Sequence, residues 1–266
     1  MAWSAVRNSI LLLAFAAMGC KEVGARRDIQ EGNKLYYASK YEEAVVVYRE
    51  ALEVQPDLAI GWFNLGLAYL ANFAPGLKTE ANEVHAKGAI EAFEKYIAMV
   101  PTDTQAQDYL LGVYIDSGRY AEVIRFFEVK LEKNPADLEA VAQLAHICAQ
   151  AGLYDDSIKW HKKRAEMVTT NDLKADSWYS IGVLDWRRLN GHSEVMGAER
   201  ARIADEGLAW LAQADRVRTH HAPTLSYLNL LYRERALAHG ASYARVVDTT
   251  SAQVYYKLAT EAAKKQ

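Results

Sequence analysis

Along most of the chain, apolar and small residues return at three- and four-residue steps, the spacing of an amphipathic helix with one buried stripe. Trp62, Leu65, Gly66 and Tyr69 open one such helix, and Ala89, Phe93 and Tyr96 form the next before Pro101 stops it. Leu110 and Tyr114 lie on a further helix, Gly118-Arg119-Tyr120 turns the chain, and Phe127 and Leu131 run back to Pro135. The pattern returns as Val141, Leu144 and Cys148, a turn at Gly152-Leu153-Tyr154, and then Ser157, His161 and Arg164. Upstream, Asp28 to Gln55 carries it as Gly32, Leu35, Tyr41, Ala44, Tyr48 and Ala51 ahead of Pro56. These spacings predict antiparallel helical hairpins and an all-α class. The small residues Gly32, Gly66, Ala44, Ala51 and Ala89 let paired helices approach closely, and Gly118 and Gly152 suit the left-handed position that ends a helix.

Pro101 and Pro135 stand 34 residues apart, and Pro56 precedes Pro101 by that period plus eleven. A fixed period of this size means stacked supersecondary units, none of which can bury its stripe alone. The units fall near 28–56, 59–101, 104–137, 138–171, 175–219 and 222–266. The last two are looser. Trp178, Ile181, Gly182 and Asp185 precede a partner helix (Gly207, Leu208, Leu211, Ala214) that arrives about thirteen residues late. Leu225, Leu228 and Tyr232 likewise precede Ala252, Tyr256 and Ala259, about eleven late. Eleven residues are about three helical turns and keep the stripe in phase, which predicts lengthened helices with a short loop. In the second unit, Ala74-Pro75-Gly76 requires a real loop, because proline breaks the hydrogen-bond ladder.

The run Trp62-x2-Leu65-Gly66-x2-Tyr69, then Ala89-x3-Phe93 and Pro101, resembles the tetratricopeptide-repeat family. That family's motif is Trp-x2-Leu-Gly-x2-Tyr followed by Ala-x3-Phe-x2-Ala-x4-Pro, and the likeness recurs in register at least four times. The resemblance implies a right-handed superhelical solenoid of about six hairpins with a C-terminal capping helix. It implies a binding surface rather than a reaction vessel, with a concave groove lined from positions 2, 5, 6, 9, 12 and 13 of each first helix. Those positions give Asn33, Tyr36 and Tyr37, then Phe63, Asn64 and Leu67. The third unit gives Asp108, Tyr109 and Asp116, the fourth Gln143, His146 and Gln150, and the fifth Tyr179, Trp186 and Arg187. Aromatic faces with interspersed amides suit an extended peptide, since Tyr and Trp provide contact area at low entropic cost. Asn33 and Asn64 coincide with the two asparagines of the family's carboxylate clamp for chaperone tails. Ile29, Gln105 and Tyr109 stand where its lysines and arginine would, so the clamp is not inherited. Some of the aromatics would also serve simply to pack against the neighbouring helix.

At the N-terminus, Arg7 precedes an apolar run from Ile10 to Met18 that ends in Ala17-Met18-Gly19-Cys20. Such a segment reads as a secretory signal, too short to span a bilayer. Its end resembles the bacterial lipoprotein box, with Ala17 where Leu is usual, and this implies lipidation of Cys20. Ala-x-Gly would also serve ordinary signal-peptidase cleavage. A diacylglyceryl group plus an N-acyl chain anchors firmly where one chain would not. Lys21 rather than Asp follows, which by the enterobacterial rule favours the outer membrane, periplasmic face. The expected organisation is a signal peptide at 1–19, a lipidated tether at 20–27 and repeats over 28–266.

The net charge is −3, and −4 once the first 19 residues with Arg7 are removed. That mild acidity argues against nucleic-acid binding, which needs a basic face. Between Arg187 and Arg235 arginines alternate with carboxylates and read as a solvated helix surface. Cys148 falls on a core position and has no disulfide partner once Cys20 is acylated. Asp155-Asp156 read as an N-cap after a turn. The seven histidines are scattered, and His220-His221 lack helical i, i+4 partners, so no metal site is expected. With no Gly-rich phosphate loop and no nucleophile elbow, no cofactor, no catalytic residue and no enzyme are expected. The functional expectation is a membrane-anchored periplasmic scaffold that binds a protein or peptide partner in its groove. It would support assembly of an envelope machine of the secretin, outer-membrane-protein or gliding kind. The alternatives are an adaptor recruiting peptidoglycan hydrolases and, of a different class, a carbohydrate or small-molecule binder or an enzyme using Trp186 and the nearby histidines.

Overall fold

The computed structural model describes residues 23–265, and every regular element among them is a helix. Helix α1 covers 23–37. It is followed by α2 (Tyr41–Val54), α3 (Ala59–Asn72), α4 (Glu80–Met99), α5 (Thr104–Asp116) and α6 (Tyr120–Lys133). Then come α7 (Leu138–Gln150), α8 (Tyr154–Met167), α9 (Asn171–Leu189), α10 (Gly197–Val217), α11 (Ala222–Ala238) and α12 (Tyr243–Ala263). The predicted signal peptide and Cys20 lie outside the described residues. Residues 23–27, expected as tether, are instead the start of α1. Ala25 and Ile29 continue the stripe of Gly32 at helical spacing, and both enter the core with Ala44, Tyr48 and Leu65. None of the described helices is long and apolar enough to cross a membrane.

The chain divides into two compact units at Arg119 and Tyr120. In the first, α3 pairs with α4, α2 packs on α3, and α4 packs on α5. In the second, the pairs are α7 with α8, α9 with α10 and α11 with α12. Here too each second helix packs on the next first helix: α6 on α7, α8 on α9 and α10 on α11. A first helix is thus wedged between two second helices, burying a wide apolar stripe. The last helix, α12, is the second member of its pair and takes the capping place, with Val247, Val254 and Leu258 exposed.

The lengthened helices follow the phase argument. α4 has 20 residues, α9 19, α10 21, α11 17 and α12 21. Between α3 and α4 the chain does form a loop around Pro75. Asn82, 5% exposed, organises it: its carbonyl accepts from the Ala74 N–H at 2.7 Å, and its amide donates to the Ala74 and Leu77 carbonyls. A buried amide with its groups satisfied in this way fixes a loop that has no hydrogen-bond ladder of its own.

Helix starts reuse one device. Asp103 accepts from Ala106 N–H at 3.1 Å and Asp137 from Ala140 N–H at 2.9 Å, each two residues after the proline that ended the preceding helix. These bonds satisfy amides with no partner in the helix and hold both carboxyls below their ordinary range, Asp103 chiefly through Tyr96. Asp155 and Asp156 are not such a cap. They lie inside the first turn of α8, behind Leu153, which makes no side-chain cap bond, and they favour the helix through its dipole. Asp155 also pairs with Arg188 at 3.2 Å.

The arginine-rich segment is largely ion-paired, and part of it is interior. Arg200 is 8% exposed; it donates to the carbonyls of Val195 and His192 and pairs with Glu234, which pins the α9–α10 loop to α11. Arg235 bridges Asp248 of α12, itself buried, and Asp205 of α10. A removed partner would leave a buried charge uncompensated, so these residues hold the second unit together.

Candidate functional site

In the first unit the predicted residues sit on α1, α3 and α5. Asn33 and Asn64 are not independent groups. The Asn33 carbonyl accepts from the Asn64 amide at 2.8 Å and from the Tyr48 hydroxyl at 2.6 Å, which links α1, α2 and α3. Burial pushes Tyr48 up to about 12, so it remains a donor at any physiological pH. The Asn33 amide and the Asn64 carbonyl keep a donor and an acceptor for a peptide backbone. Tyr36 stands edge-on to Tyr37, 5.9 Å between centroids, and against Tyr41 at 5.2 Å. Tyr37 is 84% exposed.

Phe63 and Tyr109 meet each other at 6.2 Å and both touch Phe93, which is fully buried. Tyr109 stacks on Phe93 at 5.6 Å with ring planes 18° apart, and Phe63 lies 5.0 Å from Tyr96. The two predicted groove residues therefore form a seam joining α3, α4 and α5, with their remaining surface half-exposed. Ile29 at the clamp position is core, and Gln105 donates to the Tyr109 hydroxyl at 3.3 Å.

In the second unit the structure draws Tyr179 and Trp186 together through a residue not singled out in the sequence. Tyr227 of α11 stands edge-on to Tyr179 at 5.7 Å and to Trp186 at 5.4 Å. His221 meets Tyr179 at 5.8 Å. Burial and Tyr227 raise the Tyr179 hydroxyl, against the nearby Arg187 guanidinium, and burial, then Arg218, lowers His221. Edge-to-face contacts of this kind leave ring faces available. Trp186 also lines a cleft of about 360 Å³ with Asn190, Leu230, Arg233, Leu237 and Arg245. The count that gave Tyr179 and Trp186 in the fifth unit, started at Ala222, gives Ser226, Tyr227, Leu230, Arg233 and Glu234, so the signal was in the sequence.

Gln143 and His146 sit on α7. Gln143 donates to Glu139 at 2.7 Å, and His146 is exposed near His161, whose pKa it helps to lower. No hydrogen bond, ion pair or ring contact among the described residues joins either to the α9–α11 aromatics. Among the described residues no three His, Cys, Asp or Glu side chains group as metal ligands.

The family model described as "TPR repeat" matches residues 32–72, which span the later part of α1, all of α2 and all of α3. That match falls on hairpins of the kind just described, repeated along the chain. The fold is that of a tetratricopeptide-repeat solenoid. No curated protein sequence matches it. Solved structures similar to this chain include the C-terminal part of a TPR repeat-containing protein from Cytophaga hutchinsonii. It is 14% identical, covers 89% of this chain and 80% of its own, and has a TM-score of 0.45. A TPR repeats protein from Bacteroides fragilis is 18% identical over 88% and 98%, with a TM-score of 0.41. YrrB, titled a TPR protein with an unusual peptide-binding site, is 20% identical over 74% and 88%, with a TM-score of 0.40.

Proposed function

We propose that this tetratricopeptide-repeat protein is a non-catalytic scaffold that holds an extended segment of a partner protein against its first helices. We place it at the periplasmic face of the outer membrane, anchored by lipid on Cys20 and supporting assembly of an envelope machine. The observation that carries the binding reading is the Tyr179–Tyr227–Trp186 group beside the cleft with Leu230 and Arg233. Rigid aromatic faces next to a guanidinium and the Asn190 amide match what a peptide presents: side chains to stack and a backbone to pair. The Asn33–Asn64 pair and the exposed Tyr37 offer the same chemistry in the first unit. The anchor rests on the N-terminal sequence alone.

A photo-cross-linking residue placed at Leu230 in the full chain, expressed in cells of the source organism, tests the binding reading. One discrete partner should be captured, and Trp186→Ala with Arg233→Gln should abolish capture while far-ultraviolet circular dichroism stays unchanged. Undiminished capture by that variant would place the partner elsewhere. Recovery of a peptidoglycan hydrolase instead of an assembly component would favour the adaptor role. For the anchor, Cys20→Ser should move the protein from the membrane fraction to the soluble periplasm. Continued pelleting of that variant after a salt wash would rule the lipid out.

A further inference from the structure

Because α9 is wedged between α8 and α10, these two second helices stand apart with α9 as the floor between them. The resulting cleft measures about 970 Å³, the upper end of what ligand sites enclose. Its walls are second helices, its floor is Asp185 and Arg188 of α9, and it shares no lining residue with the Trp186 cleft.

Cations of two kinds line it. Arginines nearby are paired: Arg188 with Asp155 and Asp185, Arg202 with Glu199 and Glu206, Arg218 with Asp172 and Asp176. The three lysines that α8 presents to the cleft are not. Lys159, Lys162 and Lys163 make no hydrogen bond or salt bridge among the described residues, and Lys162 feels Asp185 only at longer range. Their ammonium groups rest over tryptophan rings instead. Lys159 and Lys163 lie 5.7 and 5.2 Å from the centroid of Trp160, and Lys162 lies 5.3 Å from that of Trp210. A solvent-exposed cation–π contact is weaker than a charge-assisted hydrogen bond, so each ammonium can leave its ring for a carboxylate and uncover an aromatic face as it goes. Of the lining carboxylates, Asp155, Asp185 and Glu206 are already neutralised by Arg188 and Arg202, and only Glu166 stands without a cation.

We propose that this cleft is a second binding site, for an acidic peptide segment whose carboxylates take the three lysines and whose apolar side chains lie on Trp160 and Trp210. Glu166 among the lysines decides for a peptide against a uniform polyanion. A sulfated glycan or a nucleic acid would set charge against that carboxylate at every register, whereas a peptide can space its acids around it. The site is independent of the first-helix reading, and either can fail alone.

The test is fluorescence anisotropy of a fluorescein-labelled peptide of three Glu-Pro-Phe repeats titrated with the full chain at low salt. Saturable binding is expected, weakening several-fold as sodium chloride is raised enough to screen surface charge. Lys159→Gln, Lys162→Gln and Lys163→Gln together should weaken it at least tenfold. Lys257→Gln, Lys264→Gln and Lys265→Gln, an equal charge loss on and just beyond α12, should leave it within about twofold. All six positions are polar and at least partly exposed, so circular dichroism should match the parent chain in both variants. No saturable binding, equal weakening by both triple variants, or tighter binding of a heparin hexasaccharide than of the peptide would each overturn the proposal.

Discussion

Gly66 and Gly112 offer the sharpest test of how the first unit is held together. Both are in helices, and both would take alanine without a change in backbone conformation. A Cβ on Gly66 would lie 2.7 Å from Phe93 Cε1 and 2.9 Å from its Cδ1 and Cζ. That ring is fully buried, stacked on Tyr109 and flanked by Phe63, so it cannot give way without moving both. Overpacking of this kind costs ~1–3 kcal/mol, and the helix-propensity gain of alanine over glycine returns ~1 kcal/mol. Gly66→Ala should therefore destabilise by ~1 kcal/mol. A Cβ on Gly112 would meet nothing within 4 Å, so Gly112→Ala keeps only the gain, which is ~0.5–1 kcal/mol. The two substitutions should part by ~2 kcal/mol, or ~4–8 °C in midpoint for a chain of this size. Thermal and urea unfolding followed by far-ultraviolet circular dichroism would measure it. Phe93→Leu should cost less in the Gly66→Ala background than in the parent, because it removes the clash. If Gly66→Ala instead raises the midpoint as Gly112→Ala does, the α3–α4 approach is not close enough to select glycine, and the seam is looser than described.

Acid stability should reflect two groups of the second unit that act in opposite senses. Burial raises Asp185 from 3.8 to about 6 in spite of Arg188, so the folded chain holds its proton more tightly and that contribution fades as pH rises through this window. Burial lowers His161 from 6.5 to about 4, so stability is lost as pH falls through that range. Asp185→Asn removes the compensating group and should steepen the loss of stability between about pH 6 and pH 4, while His161→Gln should flatten or reverse it. Urea midpoints across that range decide, and parallel profiles for parent and Asp185→Asn would show that the carboxyl is not buried as described. Cys148 is 1% exposed and burial pushes its thiol up to about 11, so iodoacetamide at neutral pH should modify it only as the chain unfolds. Immediate labelling of the native protein would contradict the core position.

What could be read from the sequence was whatever depends on period and spacing. Pro101 and Pro135 set the register, the stripes gave the hairpins, and offsets of about thirteen and eleven residues gave the long α10 and α12 because a phase argument needs no knowledge of partners. The same stripe extended one turn upstream would have placed Ala25 in α1. Applying the first-helix count to the sixth unit would have added Tyr227, Leu230 and Arg233 to the site. Other features were out of reach because they depend on who faces whom across helices. The asparagines at 33 and 64 look like two free amides in a string, yet they bond to each other. Phe63 and Tyr109 look like groove residues, yet one side of each ring closes on Phe93. Nothing local in the sequence distinguishes Arg200, which is buried and tied to a loop, from Arg202, which lies on the surface.

The same limit explains why the α8–α10 cleft escapes a reading along the chain. In sequence, Lys159, Lys162 and Lys163 belong to a polar helix that also carries Arg164, Asp155, Asp156 and Glu166, four cations against three carboxylates and so close to balance. In three dimensions the balance shifts, because Arg188 of α9 takes Asp155, the carboxylate one turn from Lys159, and Arg202 holds Glu206 on the facing wall. Arg188 takes Asp155 and Asp185, and Arg202 takes Glu199 and Glu206; the planar fork of a guanidinium pairs with two carboxylates where an ammonium offers a point charge. The lysines are left with the tryptophans. Arg188→Lys should expose this competition: the weaker pairing would free Asp155 to draw a lysine of α8 away from the cleft, and acidic-peptide affinity should fall although no formal charge has changed. Unchanged affinity in that variant would mean that the lysines are unpaired for want of reach rather than for want of carboxylates.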